Sequence, residues 1–225
     1  MPISGSELDY LRTLEDLAER GLPLRTGAVA EMLKVSPPSV TQMLASLERK
    51  RLVARVGRGQ VRLTAKGRRH ARCGVRRHRL IETWLVRCLG MAWSEAHEEA
   101  HQLEHAVSSK LEEALARHLG YPERDPHGAA IPDVNGNMKK DDLVALKELA
   151  AGSAGQVARL SDRDEEKLGY WSSIGMRLGS DVRKANVAPY GGPVELLVDG
   201  EVRMVGAGAM EGVWVRVQEI DHEPI

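Results

Sequence analysis

The chain has 225 residues, a formal net charge of zero and only two cysteines. That length holds one large domain or two to three small ones, with enough interior to bury a core. No apolar run approaches the roughly 20 residues needed to cross a bilayer, and no secretory leader opens the chain. The expectation is a cytoplasmic protein with no membrane partner.

A first helix is predicted over residues 6–20, with Ser6 as its cap and Leu8, Leu11, Leu14 and Leu17 on one face. Gly21 ends it. Thr26 is placed to cap a second helix, and a third runs from Ser39 to Lys50 after Val35-Ser36-Pro37-Pro38, since proline suits a first helical turn. Two short strands follow, Leu52–Val56 and Gln60–Leu63, around the tip Gly57-Arg58-Gly59. Three helices and a basic hairpin make a winged helix-turn-helix. In that motif the second helix of the pair enters the major groove, N-terminal residues toward the bases. Those residues are Ser36, Pro38, Ser39, Thr41 and Gln42. Gln pairs with an adenine edge; Ser and Thr bond bases or phosphates.

Charge is segregated. From Arg49 through Arg79 there are thirteen Lys or Arg and no Asp or Glu. Such a block points to a polyanion partner rather than an ordinary solvated face. Arg49 and Arg58 join the DNA-contact set, with Arg55 and Arg62 tracking phosphates along the wing.

A long helix is expected over Thr64–Leu89, carrying His78 and Glu82 at i, i+4. The two cysteines, Cys73 and Cys88, lie on it roughly 22 Å apart, too far for a disulfide. Trp84, Leu85, Leu89, Met91 and Trp93 cluster where it turns, as core or as a dimer seam. Ser94 is read as the cap of a further helix ending near Gly120. It contains A-H-E-E-A-H-Q-L-E-H-A, with His97, His101, Glu104 and His105 at i, i+4, i+7 and i+8, on one helical face. Imidazoles and a carboxylate grouped this way are what a transition-metal site needs. A solvated polar face is the bland alternative.

Residues 121–140 read as irregular, and Asp141–Ala150 as a short helix or linker. Strands are expected at Val157–Leu160, Asp181–Val187, Val194–Val198, Val202–Val205 and Gly212–Val217, with a helix from Asp164 to Ile174. Turn signals sit at Gly191-Gly192-Pro193 and Asp199-Gly200. The pattern predicts a small SH3-like β-barrel. The fold class is therefore mainly α with a small β-barrel, divided as 1–64, 65–140 and 141–225.

Several segments together carry a specific resemblance. They are D-Y-L-R-T at 9–13, S-P-P-S-V-T-Q at 36–42, R-H-R-L-I-E at 77–82, H-E-E-A-H-Q-L-E-H at 97–105, D-P-H-G-A-A-I-P at 125–132, G-M-R-L-G-S-D-V at 175–182 and Y-G-G-P-V at 190–194. The chain resembles the diphtheria-toxin-repressor family of metal-dependent transcriptional regulators over nearly its whole length. The resemblance implies a winged-helix DNA-binding domain, a helical metal-binding and dimerisation domain and an SH3-like (FeoA-like) domain. It implies a homodimer on a palindromic operator, repressing metal-homeostasis genes.

It also implies two metal sites. The regulatory site takes Asp9, His101, Glu104 and His105; the ancillary site takes His78, Glu82 and His97. Iron-responsive members draw a further ligand from the SH3-like domain, for which Asp162 is the candidate. Asp9 replaces the Met of iron-type members and matches the manganese type. His101 stands where the iron type has Cys and the manganese type Glu. Asp9 has a bland alternative too, as part of a capping-box-like start with Ser6. Mixed nitrogen and oxygen donors favour Mn²⁺, then Fe²⁺, while Zn²⁺, Co²⁺ and Ni²⁺ bind by intrinsic affinity in vitro. Metal between Asp9 and the other three ligands would tie the first helix to the dimerisation unit.

Two other readings compete. His101-Gln102-Leu103-Glu104-His105 fits H-x-x-E-H, a zinc-peptidase signature with Glu104 as general base. It leaves the winged helix and the basic block without a purpose, so no enzymatic activity is expected. The other is a winged-helix regulator with structural histidines and a non-metal effector.

Overall fold

The structure, a computed structural model, describes residues 3–57, 59–139, 141–161 and 164–217. Arg58 and Asp162 fall outside the described residues. Two compact units emerge. One comprises the chain up to 85 with 98–123 and 131–139; the other comprises 86–97, 124–130 and the chain beyond 139.

The first unit opens with α1 (Gly5–Glu19), α2 (Thr26–Leu33) and α3 (Pro37–Arg49), followed by the antiparallel hairpin of β1 (Val53–Gly57) and β2 (Gln60–Leu63). The cap of α1 is Ser4, not Ser6. Ser4 Oγ accepts from Glu7 N at 3.3 Å, and Glu7 Oε2 accepts from Ser4 N at 3.0 Å. This reciprocal box satisfies two terminal donors and is worth about 1 kcal/mol. Asp9 has no part in it. Leu11, Leu14 and Leu17 are buried, with Leu8 half-exposed. They pack against Val29, Val40, Leu44, Leu47, Leu52, Val61 and Leu63. Each fully buried Leu or Val contributes roughly 2 kcal/mol. At α2 the residue in the cap position is Arg25, whose side chain makes no cap bond; Thr26 is already inside the helix.

A long helix, α4 (Ala65–Leu89), starts against the hairpin base. A Cβ at Gly67 would lie 1.9 Å from the Leu52 carbonyl oxygen, so only glycine permits this approach. Further along, a Cβ at Gly74 would lie 2.9 Å from Leu8 Cδ1 and 3.0 Å from Arg12 Cδ. Gly74 is thus where α1 crosses close over α4.

The single His-rich helix expected from Ser94 to Gly120 is instead two. α5 (Trp93–Leu103) stops, and α6 (Ser109–His118) begins afresh with Ser108 Oγ accepting from Leu111 N at 3.2 Å. Glu104 and His105 therefore stand in the turn after α5 rather than on its face.

The second unit is built on a six-stranded antiparallel sheet in the order β3-β8-β4-β5-β6-β7. Its strands are β3 (Val144–Ala145), β4 (Ala154–Leu160), β5 (Asp181–Val187), β6 (Val194–Val198), β7 (Glu201–Val205) and β8 (Val213–Val217), with α7 (Glu165–Ser173) between β4 and β5. All predicted strands are present, but among the described residues no pairing joins β3 to β7, so the sheet is open rather than a closed barrel. Register irregularities in β4/β8 and β5/β6 bend it around a core that includes Leu146, Val157, Trp171, Leu196 and Val213. Trp171 Nε1 donates to the Ala209 carbonyl at 2.7 Å. Trp93, expected as core or dimer seam, packs against this same core. The segment 141–150, expected as a short helix or linker, holds β3 followed by a short 3₁₀ turn, Leu146–Glu148.

Candidate metal centre and nucleic-acid interface

The amphipathic face of α1 and the break after α5 create the first grouping. Asp9 sits one position before buried Tyr10 and Leu11, which sets its side chain at the edge of the core. Glu104 is buried, its side chain only 1% exposed. Asp9, His101, Glu104 and His105 each bring a donor atom within 4.8 Å of the others. His105 Nε2 lies 3.4 Å from Asp9 Oδ1 and 3.7 Å from Glu104 Oε1, and His101 Nδ1 lies 3.2 Å from Glu104 Oε1. The four predicted ligands thus converge, though by a turn rather than by the helical face the sequence suggested. This nitrogen-and-oxygen set, anchored on a buried carboxylate, fits a divalent transition ion.

Glu104 also holds partners the sequence reading did not name. Arg12 Nη1 donates to Glu104 Oε1, and His78 Nδ1 lies 2.8 Å from Glu104 Oε2. Burial works to raise the Glu104 pKa, but the His78 hydrogen bond and the Arg12 charge outweigh it, leaving the carboxyl below its usual range. Burial, reinforced by Arg12, pushes the His78 imidazole below its usual range. A neutral His78 beside an ionised Glu104 must donate from Nδ1, which makes Nε2 the lone-pair side of the ring. Burial raises Asp9 above the usual carboxylate value, opposed by His105 and His101.

His78 and Glu82 lie one turn apart on α4 and are buried at 5% and 1% exposure. His97 is half-buried on the part of α5 that belongs to the second unit.

Arg12 was legible only as part of the D-Y-L-R-T segment. Its signal is its spacing: three residues after Asp9, it shares that residue's helical face.

At the cap of α3 and along it, Ser36, Pro38, Ser39, Thr41, Gln42 and Arg49 are all exposed. Ser36 Oγ is occupied as the α3 cap, accepting from Ser39 N at 3.4 Å and lying 2.8 Å from Ser39 Oγ. Thr41 Oγ1 donates back to the Pro37 carbonyl at 3.0 Å. Gln42 is the long polar side chain of this surface. Arg49 sits at the far end of α3, away from the N-terminal turn.

The basic block is less free than its sequence suggests. Arg55 pairs with Glu48 at 2.9 Å, Arg72 and Arg68 with Glu15 at 2.5 and 3.4 Å, Arg76 and Arg77 with Glu112 at 3.1 Å each, and Arg79 with Glu19 at 3.3 Å. Among the described residues, Arg49, Arg51, Arg62, Lys66 and Arg69 are exposed and form no ion pair. The unpaired charge therefore concentrates around the end of α3, the hairpin and the start of α4.

Comparison with known proteins covers most of the chain. Residues 4–61 match the family described as the iron-dependent repressor N-terminal DNA-binding domain, 64–133 its metal-binding and dimerisation domain, and 144–217 the FeoA domain. The iron-dependent repressor IdeR of Mycobacterium tuberculosis is 40% identical over 151 residues, 64% of this chain and 66% of the relative. The match thus spans just under two thirds of that relative's length. The diphtheria toxin repressor of Corynebacterium efficiens is 30% identical over 220 residues, covering 91% of this chain and 95% of the relative. A solved manganese-dependent transcriptional repressor in complex with manganese superposes with a TM-score of 0.88 at 36% identity, covering 94% of this chain and all of the other.

Proposed function

Because this chain belongs to the family of metal-dependent transcriptional repressors that includes the diphtheria toxin repressor, we propose that it represses metal-homeostasis genes when Mn²⁺ or, second, Fe²⁺ binds the Asp9, His101, Glu104 and His105 group. The observation that carries the reading is the convergence of these four donors from two separate segments, α1 and the turn after α5. We assign residues 1–64 to DNA binding, 65–140 to metal binding and dimerisation, and 141–225 to the linker and FeoA-like domain. The ancillary site takes His78, Glu82 and His97.

A bound divalent ion supplies the charge that neutralises this carboxylate-rich group. Asp9 contributes a hard oxygen from α1, the helix that packs on α2 and on the reading helix α3. Glu104 and the two imidazoles contribute from the segment after α5. Holding these donors together fixes α1, and through its core the orientation of α3. If that arrangement favours DNA, then DNA tightens metal binding by the same factor. With Nδ1 held by Glu104, Nε2 is the His78 nitrogen that would ligate a metal.

As a dimer, two copies would place two α3 helices on a palindromic operator. Gln42 and Ser39 are the base-reading residues, and Arg49 with Arg62 contact phosphates. The donor set favours Mn²⁺ because two oxygen and two nitrogen ligands include no thiolate. No observation favours the peptidase reading: the Glu104 carboxylate is engaged by Arg12 and His78 and does not face open solvent.

Calorimetry with Mn²⁺ and Fe²⁺ on wild type and Asp9→Ala tests the proposal. Two classes of site in wild type, with the Asp9-dependent one missing in the variant, support it. Identical uptake by both proteins overturns the ligand assignment.

A further inference from the structure

Glu104 Oε1 is the oxygen that faces His101 and His105, yet it already has a cationic partner. Arg12 Nη1 donates to that same oxygen. The guanidinium reaches it from α1 along a stem that passes over Gly74, where a Cβ would lie 3.0 Å from Arg12 Cδ and 3.2 Å from Arg12 Cγ. The Arg12 side chain is 17% exposed, and its Nε is buried with no hydrogen-bond partner among the described residues. Asp9 and Glu82 also act on it electrostatically, and Arg79 repels it.

Arginine stays charged at any physiological pH. A divalent ion on the Asp9, His101, Glu104 and His105 group needs the Glu104 oxygen and brings two further positive charges to the same place. The guanidinium and the ion therefore compete, both for one oxygen and by like-charge repulsion around a buried carboxylate. From this geometry we infer that Arg12 is a built-in counter-cation that the metal must displace, and that it sets the metal concentration at which the regulatory group fills.

The inference rests on the proposed metal site. It assigns Arg12 two effects of opposite sign. Arg12 stabilises the fold in the absence of added metal by neutralising buried Glu104. It weakens metal affinity because that contact must be given up. A residue that merely holds Glu104 in a ligating pose would strengthen metal binding instead.

The test uses the full-length chain as wild type, Arg12→Met and Arg12→Lys. Mn²⁺ affinity is measured by calorimetry after chelator treatment, and thermal melting is followed with and without Mn²⁺. Arg12→Met is expected to bind Mn²⁺ at the Asp9-dependent site about tenfold more tightly or better, to melt lower without metal, and to gain more on Mn²⁺ addition than wild type. Arg12→Lys keeps the charge but loses the planar fork, so its affinity should fall between the two. Equal or weaker Mn²⁺ binding in folded Arg12→Met overturns the inference. If Arg12→Met does not fold, Arg12→Lys decides: tighter binding supports competition, and unchanged or weaker binding overturns it. Wild type lacking any Asp9-dependent Mn²⁺ uptake is a separate result. It removes the metal reading itself, and the counter-cation role with it.

Discussion

Glu104→Gln keeps the shape of the side chain and removes its charge. Glu104 is buried and serves Arg12 through one oxygen and His78 through the other. Removing one partner of a buried ion pair costs about 3–5 kcal/mol, because the remaining charge loses its compensation. Two features reduce that here. Arg12 is 17% exposed and regains some hydration, and the amide oxygen still accepts a hydrogen bond from the charged guanidinium worth about 1.5 kcal/mol. The expected loss is therefore about 3 kcal/mol. For a chain of this size each kcal/mol moves Tm by about 2–4 °C, so the first unit should melt roughly 6–12 °C lower. Differential scanning calorimetry after chelator treatment reads this directly. The second unit's own transition in the same scan serves as the internal reference. Adding Mn²⁺ should restore little, since the variant lacks the central carboxylate. A variant that melts like wild type and is stabilised by Mn²⁺ to the same degree would refute the reasoning that Glu104 is the electrostatic centre of the site.

Asp9→Ala should leave metal-free stability nearly unchanged, because the α1 cap is the Ser4 and Glu7 box, while abolishing stabilisation by Mn²⁺; a loss near 1 kcal/mol with metal response intact would make Asp9 a structural residue. Gln42→Ala should cost roughly 1–3 kcal/mol of operator affinity and relax preference at one base pair; an unaltered preference profile from selected DNA pools would move base reading elsewhere. Asp199 ends β6 in the turn before β7, accepting from Asp181 N at 2.8 Å and facing Ser180 Oγ at 3.0 Å, contacts that hold its carboxyl below the usual 3.8. A lowered carboxylate stabilises the fold above its unfolded value and loses that contribution as pH falls through the folded one. Asp199→Asn should therefore flatten the acid limb of the second unit's stability, followed by its calorimetric transition; an unchanged acid slope would show that Asp199 carries none of it.

The winged helix was legible because its signals are local. Leu11, Leu14 and Leu17 repeat at helical spacing, Ser36 and Pro37 mark a helix start, and the hairpin lies between two short apolar runs. The four candidate metal ligands were legible as residues, but their grouping was not legible as geometry. Nothing between His97 and Gly120 breaks a helix by composition. The break comes from Ser108 starting α6 and from Glu104 being drawn inward by partners on α1 and α4. Those contacts join residues far apart in sequence, which periodicity cannot see. The same limit applies to the basic block. Its arginines read as free because Glu15 and Glu112, their partners, lie tens of residues away. In the second unit, alternation located the strands, but closure depends on whether β3 and β7 meet, which no strand's own pattern reveals.

In the proposed mechanism, metal held between α1 and the segment after α5 controls DNA binding. The most direct measurement is affinity for an operator, selected from random DNA separately with Mn²⁺, with Fe²⁺ and with chelator, at one fixed salt concentration for wild type and Asp9→Ala. Mn²⁺ should tighten wild-type binding by about 5- to 150-fold, the range of an ordinary coupling energy, and leave Asp9→Ala at its chelator-treated level. Wild type binding its selected DNA equally well with metal and with chelator would show that metal does not control DNA binding.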